Sequence, residues 1–292
     1  MWGKAWKFGV PLLVLIALGV LMVFASQGAT PQLIDTKGII ATQQRDLLYF
    51  ATAIMLLIIV PVFVLLFWFA YRYNEKRQSS KYQPDWSNNT LLEVIWWGIP
   101  IAIIIVLSVV TWQSSHSLDP YRPLVRQKPP TVIEVVALQW KWLFLYPQEE
   151  VASVNEVAFP VERPVRFMIT SDAPMNSFWI PQLGGQIYAM SGMVTQLNLD
   201  ADSVADYRGL SANISGEGHS QMNFTAKSLN YSDYQKWLDN AKSVGDHFDA
   251  KDYAELRKKS LNNPVTYYHL HKTDLFDSIV SQYDHGMKHG GY

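Results

Sequence analysis

Glu93 is the only carboxylate beside the apolar run Val94–Ser115. An ionisable group at membrane depth is a functional candidate by default. The same residue completes Thr90-Leu91-Leu92-Glu93, a capping-box pattern in which its carboxylate would accept the Thr90 amide hydrogen. Both roles are open at this point. His269 and His271 share one face of a strand, and His285 and His289 one face of a helix, but neither pair has a third donor at metal-like spacing. Trp140 and Trp142 alternate in the manner of strand residues that anchor a core or an interface. The sequence has no cysteine, which excludes disulfides, thiolate metal centres and cysteine nucleophiles.

These residues are carried by two kinds of chain. Of the 24 Lys+Arg and 25 Asp+Glu residues, only 13 lie within residues 1–118. Three stretches there have no charge: Phe8–Ser26, Leu47–Ala70 and Val94–Ser115. At ~1.5 Å per residue each can cross a hydrocarbon layer of about 30 Å. The expectation is a membrane α-helical hairpin over residues 29–118, preceded at 1–28 by a further span or a cleavable signal segment. Pro61 and Pro100 fall inside the hairpin spans, and Trp68, Tyr71, Tyr73, Trp96 and Trp97 sit where interfacial aromatic belts belong. Lys4, Lys7 and the basic stretch from Arg72 to Lys81 predict a cytoplasmic N-terminus and a cytoplasmic loop at 72–92. An odd number of crossings then places residues 119–292 outside. The net charge of −1 supplies no basic field for nucleic acid, which is excluded as a partner.

Nine short β-rich runs lie between Thr131 and Ala226, among them Gln139–Tyr146 and Val151–Ala158, and their spacing predicts a sandwich or barrel. From Ser232 the period changes. Ser232-x-x-Gln235 reads as a capping box, and Tyr234, Trp237, Leu238 and Ala241 fall on one helical face. Helical stretches at 249–259 and 273–283 complete a C-terminal arm over 231–292.

Apolar spans followed by an outside β domain resemble subunit II of the haem–copper oxidases. Gln139-Trp140-Lys141-Trp142 resembles that family's aromatic stretch. Met175-Asn176-Ser177-Phe178-Trp179-Ile180-Pro181 is similar to its His-Ser-Phe-Trp-x-Pro segment, with Asn176 at the position of the first copper-binding His. The run from Ser211 to Met222 has the spacing of its Cys-x-Glu-x-Cys-x3-His-x2-Met loop, with Ser211, Asn213, Ser215, His219 and Met222 at the matching positions. The resemblance implies an all-β cupredoxin-like Greek-key sandwich over residues 119–230. It also marks a vestigial site, because only His219 and Met222 match the ligands of the dinuclear copper centre. Serine hydroxyls stay protonated and do not replace bridging thiolates, and a mononuclear copper site would need a thiolate and a second His. No metal is expected in this chain.

The segments Trp140–Trp142, Asn155–Pro160 and Gln186–Met193 resemble subunit II of the cytochrome bo-type ubiquinol oxidases, and the likeness runs from about Leu33 to Tyr283. It implies a subunit of a proton-pumping quinol:oxygen oxidoreductase in a bacterial inner membrane, with a periplasmic C-terminal domain and no catalytic centre of its own. Subunit I would then hold the haems and the oxygen-reducing copper and meet the quinol pool. Subunits III and IV and membrane lipid would be further partners, and cytochrome c would not be one. The resemblance places Glu93 at the mouth of a proton pathway continuing into subunit I. Ala29 stands near the place where such subunits carry an acylated cysteine, so lipidation is not expected there. Two other readings stay open: a cytochrome c oxidase subunit with an atypical copper site, and a membrane-tethered β-sandwich used only for binding or assembly.

Overall fold

The computed structural model describes residues 31–73, 89–126, 128–270 and 274–283, together with Gly19. Among them, Asp46–Ser117 forms one compact unit, and Gln32–Arg45 with the residues from Leu118 onward forms a second. The span expected at Phe8–Ser26 lies outside the described residues, apart from Gly19.

Two helices are long and apolar enough to cross a membrane, α1 (Ile39–Arg72) and α2 (Thr90–Ser117). Pro61 and Pro100 lie inside them. Most of their apolar side chains are exposed along the membrane-length stretches, the signature of helices whose solvent is lipid or another protein. The start of α2 corrects the sequence reading. Asn89, not Thr90, is the N-cap: its side-chain oxygen accepts the Leu92 amide hydrogen at 3.1 Å. Asn ranks among the best N-caps, and it precedes Thr90, which is left as the first helical residue.

The start of α1 belongs to the second unit. The amide of Ile39 donates to Asp200 Oδ1 at 3.1 Å, and Ala41 N donates to the Leu183 carbonyl. Asp200 is fully buried and also receives Nε and Nη2 of Arg126. Its charge therefore satisfies one orphan donor at a helix N-terminus while it is itself neutralised by a guanidinium. Gly38 is required at this approach, because a Cβ there would lie 2.4 Å from the Asp200 carbonyl.

The outside domain is the expected cupredoxin-like sandwich. Its first ten strands are β1 (Thr131–Leu138), β2 (Lys141–Tyr146), β3 (Val151–Val154), β4 (Glu156–Pro160), β5 (Val165–Ser171), β6 (Asn176–Trp179), β7 (Ile187–Ala189), β8 (Thr195–Leu199), β9 (Ala205–Ser211) and β10 (Asn223–Leu229). The arm adds α3 (Tyr231–Val244), β11 (Asp246–Phe248), α4 (Ala250–Leu256), β12 (Thr266–Leu270) and α5 (Leu275–Ser281). One sheet has the order β11-β12-β3-β2-β1-β5-β8, the other β4-β10-β9-β6-β7. Inward-facing aromatics fill the space between them, with Phe178 stacked on Phe224 at 5.0 Å and Trp142 edge-on to Phe178 at 5.4 Å.

Four local expectations change. Val151–Ala158 is not one strand, because Asn155 adopts φ 58° and sends the chain from the first sheet to the second. Asn tolerates this left-handed backbone, and its side chain pays for the break by accepting the Trp142 amide hydrogen at 2.9 Å. Trp140 is not a strand residue: it occupies the β1–β2 turn with φ 65°. The arm is not purely helical, since β12 pairs antiparallel with β3 and β11 pairs parallel with β12. Helix α3 buries Tyr234, Trp237, Leu238 and Ala241 as its period predicts, but its N-cap is Asn230 rather than Ser232. The chain turns into the helix directly after β10.

Candidate functional site

The positions matching a copper loop cluster at one end of the sandwich, held by β6, the end of β9 and the loop leading to β10. Asn176 begins β6 and Ser211 ends β9; both are buried. The Ser211 hydroxyl donates to Asn176 Oδ1 at 3.0 Å, and Asn176 Nδ2 donates to the Pro174 carbonyl at 2.6 Å. Asn213 Nδ2 ties the loop to the Met175 carbonyl at 2.9 Å. Three of the six positions thus commit their side-chain donors to neighbouring acceptors of the fold. Met222 is buried in the core, and its carbonyl accepts the Ser211 amide hydrogen.

Ser215 and His219 belong to a different neighbourhood, around Trp140. The indole Nε1 of Trp140 donates to the Ser215 carbonyl at 3.3 Å, while Ser215 Oγ and His219 Nδ1 are buried and find no hydrogen-bond partner among the described residues. The loop lies flat on the indole: a Cβ at Gly218 would come within 2.3 Å of the ring. The ring also receives Lys259 Nζ at 4.7 Å from its centroid, and Lys259 approaches Glu217 at 3.8 Å. Next to the indole, buried Lys141 donates through Nζ to the Lys258 carbonyl at 3.0 Å and to Ser260. Burial lowers the proton affinity of this amine. Asn155 Nδ2 reaches the Asn263 carbonyl at 3.0 Å. The connector after α4 therefore clasps the β1–β2 turn and the loop together.

This donor set does not fit a dinuclear copper centre. Such a centre needs two deprotonated sulfurs, and the chain supplies two hydroxyls, one of them committed as a donor to Asn176. Among the described residues no three His, Asp or Glu side chains gather as a metal-binding group. His269 stands beside His247, in register across β11 and β12 with ring centroids 5.7 Å apart. The second residue of the His269/His271 pair, like His285 and His289, lies outside the described residues.

Glu93 lies in the first turn of α2 and is exposed on the isolated chain. Its backbone amide donates to the Asn89 carbonyl at 3.0 Å, an ordinary helical bond, and the capping duty is discharged by the Asn89 side chain. The carboxylate is thus one turn inside the helix rather than bonded back across its start.

Two buried carboxylates escaped the sequence reading. Glu156 accepts from Trp237 Nε1 at 2.8 Å and from the Tyr267 hydroxyl, and pairs with Lys227 at 2.8 Å. Burial works against its ionisation most strongly, and Lys227, Tyr267 and Trp237 together outweigh it, leaving the carboxyl below its ordinary value. Asp172 accepts from the hydroxyls of Tyr253 and Tyr283 and from Arg257 at 2.7 Å. Both fasten the arm to the sandwich. The signal in the sequence was the aromatic content of the arm, whose Trp and Tyr residues carry donors that need acceptors when buried.

Residues 147–229 match the family model "Cytochrome C oxidase subunit II, periplasmic domain", and residues 242–287 match "COX Aromatic Rich Motif". The chain is 45% identical over 273 residues to cytochrome bo(3) ubiquinol oxidase subunit 2 of Pseudomonas putida, covering 94% of this chain and 86% of that protein. It is 41% identical over 262 residues to ubiquinol oxidase subunit 2 of Acetobacter aceti, covering 89% and 85%. With quinol oxidase subunit 2 of Bacillus subtilis strain 168 it shares 36% identity over 263 residues, covering 89% and 82%.

Proposed function

Since the chain belongs to the subunit 2 family of the bacterial quinol oxidases, we propose that it is the metal-free second subunit of a proton-pumping quinol:oxygen oxidoreductase in the inner membrane. Residues 72–92 face the cytoplasm in this reading, and the sandwich and arm face the periplasm. Subunit I carries the haems and the oxygen-reducing copper and meets the quinol pool, with subunits III and IV and membrane lipid completing the surroundings. Cytochrome c has no place in the scheme, because the loop that would accept its electron offers hydroxyls where a copper pair needs thiolates.

The observation that carries this reading is that Asn176, Ser211 and Asn213 spend their side-chain donors inside the fold. It supports a role in the fold itself for these three ligand-matching positions. The chain's own contribution to the chemistry is then Glu93. A carboxylate on the cytoplasmic turn of a spanning helix can take a proton from water and hand it to a neighbouring subunit. Its exposure on the isolated chain and its freedom from capping both suit that task.

The test is to purify the tagged chain from membranes and record haem spectrum, metal content and quinol-driven oxygen uptake. Co-purification of haem, quinol oxidase activity and copper in an amount matching subunit I alone are expected. A purple absorption gained on copper addition would instead favour the atypical cytochrome c oxidase reading. Recovery without any haem protein would favour a tethered binding module.

A further inference from the structure

The outer face of the seven-stranded sheet carries a carboxylate that serves none of the roles above. Glu134 lies in the middle of β1 and points away from the sandwich core that takes Ile133 and Val135. Its register partners are Leu145 on β2 and Met168 on β5. Leu145 joins Leu275, Phe276 and Ile279 of α5 in a second apolar cluster, against which Met168 is packed. Glu134 thus sits in the layer between sheet and helix. Its Oε2 is buried and has no hydrogen-bond partner among the described residues.

The charged groups around it are few. Helix α5 contributes Asp277, which is exposed, and strand β5 contributes Arg166, two residues before Met168, whose Nε is likewise buried without a partner. Strand β2 presents Lys141, Leu143 and Leu145 on this face, and the Lys141 amine, at the far end of the strand, is held by the Lys258 carbonyl and Ser260. The next ionic cluster is Asp172 with Tyr253, Arg257 and Tyr283. Burial first, and the charge of Asp277 second, push the Glu134 carboxyl from 4.5 up to about 7. Beyond its apolar face, α5 is anchored by Tyr283, which bonds Asp172 and sits against Gly192, where a Cβ would come 3.1 Å from the Tyr283 Cβ.

We propose that Glu134 is a proton-binding site that sets how firmly α5 docks on the sheet: the neutral carboxyl is accommodated under the helix, and its ionisation places a second negative charge against Asp277 and loosens the helix. The proton leaves to water and no other group changes state. Because the carboxyl binds its proton more tightly when α5 is docked, the stabilisation is complete below the ordinary carboxyl value of 4.5 and is lost as pH rises through about 7. Taking those two values for the undocked and docked states, the opening equilibrium of α5 rises about tenfold between pH 6 and pH 8. The arm tightens as its surroundings acidify.

Hydrogen exchange followed by mass spectrometry on the detergent-solubilised complex tests this, using peptides over residues 275–283 and correcting for the intrinsic pH dependence of exchange. The parent should lose about tenfold protection from pH 6 to pH 8. Glu134→Gln should remove the pH dependence, and Asp277→Asn should reduce it while α5 stays docked. Equal protection at both pH values in the parent, or a dependence that survives in Glu134→Gln, would overturn the proposal. Should Glu134→Gln fail to assemble, the exposed Asp277→Asn decides, and an unchanged dependence there counts against it. A response abolished by Tyr283→Phe but kept in Glu134→Gln assigns the effect to Asp172 and equally sinks the proposal.

Discussion

The two units of this chain are stabilised by opposite means. The membrane-length stretches of α1 and α2 expose most of their apolar side chains and have no buried residue. The outside domain fills its sandwich with interlocked aromatics, coats its outer sheet face with a second apolar cluster and pairs the buried Glu156 and Asp172 internally. Within the membrane unit, side-chain identity is therefore answerable to a partner or to lipid, whereas in the domain it is answerable to the fold. A substitution in one unit should be read out by assembly or turnover, and a substitution in the other by melting.

The largest effect should come from the domain core. Phe178 is fully buried between the sheets, and Phe178→Ala should cost about 3–5 kcal/mol. Calorimetry of the purified complex should reveal a lowered domain transition. An unchanged transition would mean that the domain, too, leans on a partner.

Glu156→Gln comes next, at about 1–3 kcal/mol, because Lys227 keeps a partly exposed position but loses its anion. Its pH signature has a definite sign. The folded carboxyl sits below its ordinary 4.5, so its contribution is present above that value and fades as pH falls through the lowered one. Acid melting curves of parent and variant should therefore converge at low pH. Glu134 has the reverse sense, and the two carboxylates bracket the domain's stability from both sides.

Glu93 sharpens the contrast from the membrane side. Glu93→Gln should leave the domain melt and the haem content unchanged while quinol-driven oxygen uptake falls about tenfold, equivalent to ~1.4 kcal/mol of barrier. Glu93→Asp should recover part of the rate, since a carboxylate is kept. Unaltered uptake across the pH range would remove the proton role.

The smallest effect separates two neighbouring caps. Asn89→Ala should destabilise the start of α2 by about 1 kcal/mol, whereas Thr90→Ala should stay within ~0.5 kcal/mol. Thermal loss of assembled complex in detergent, compared between the two, measures the difference. A larger cost at Thr90 would restore the capping box read from the sequence.

Which features were legible follows from range. The spans announce themselves by lacking charge over lengths that fit a bilayer, and α3 by the spacing of Tyr234, Trp237, Leu238 and Ala241. Those are local patterns, and local physics decides them. The break at Asn155 was hidden because Val151–Ala158 has an unbroken β composition, and only the need to join both sheets selects the left-handed residue. The same holds for the arm's strands, since β12 exists by pairing with β3 more than a hundred residues earlier. At the candidate site the substituted positions could be read by spacing, but their split into an Asn176–Ser211–Asn213 network and a separate Trp140 neighbourhood could not. That division depends on where the connector after α4 comes to rest.

The fastening of the arm also bears on the order in which the domain can be finished. Glu156 and Asp172 are made early, while their donors Trp237, Tyr253, Arg257, Tyr267 and Tyr283 are spread over the final stretch of the chain. During vectorial export these two carboxylates emerge first and must remain hydrated until the last donors arrive. A nascent chain stalled before Tyr267 would present a sandwich with the edge of β3 uncovered, Glu156 lacking Tyr267 and Asp172 lacking Tyr283. Closure of the domain therefore waits on the arm, which covers the edge of β3 and completes the hydrogen bonds of both acids.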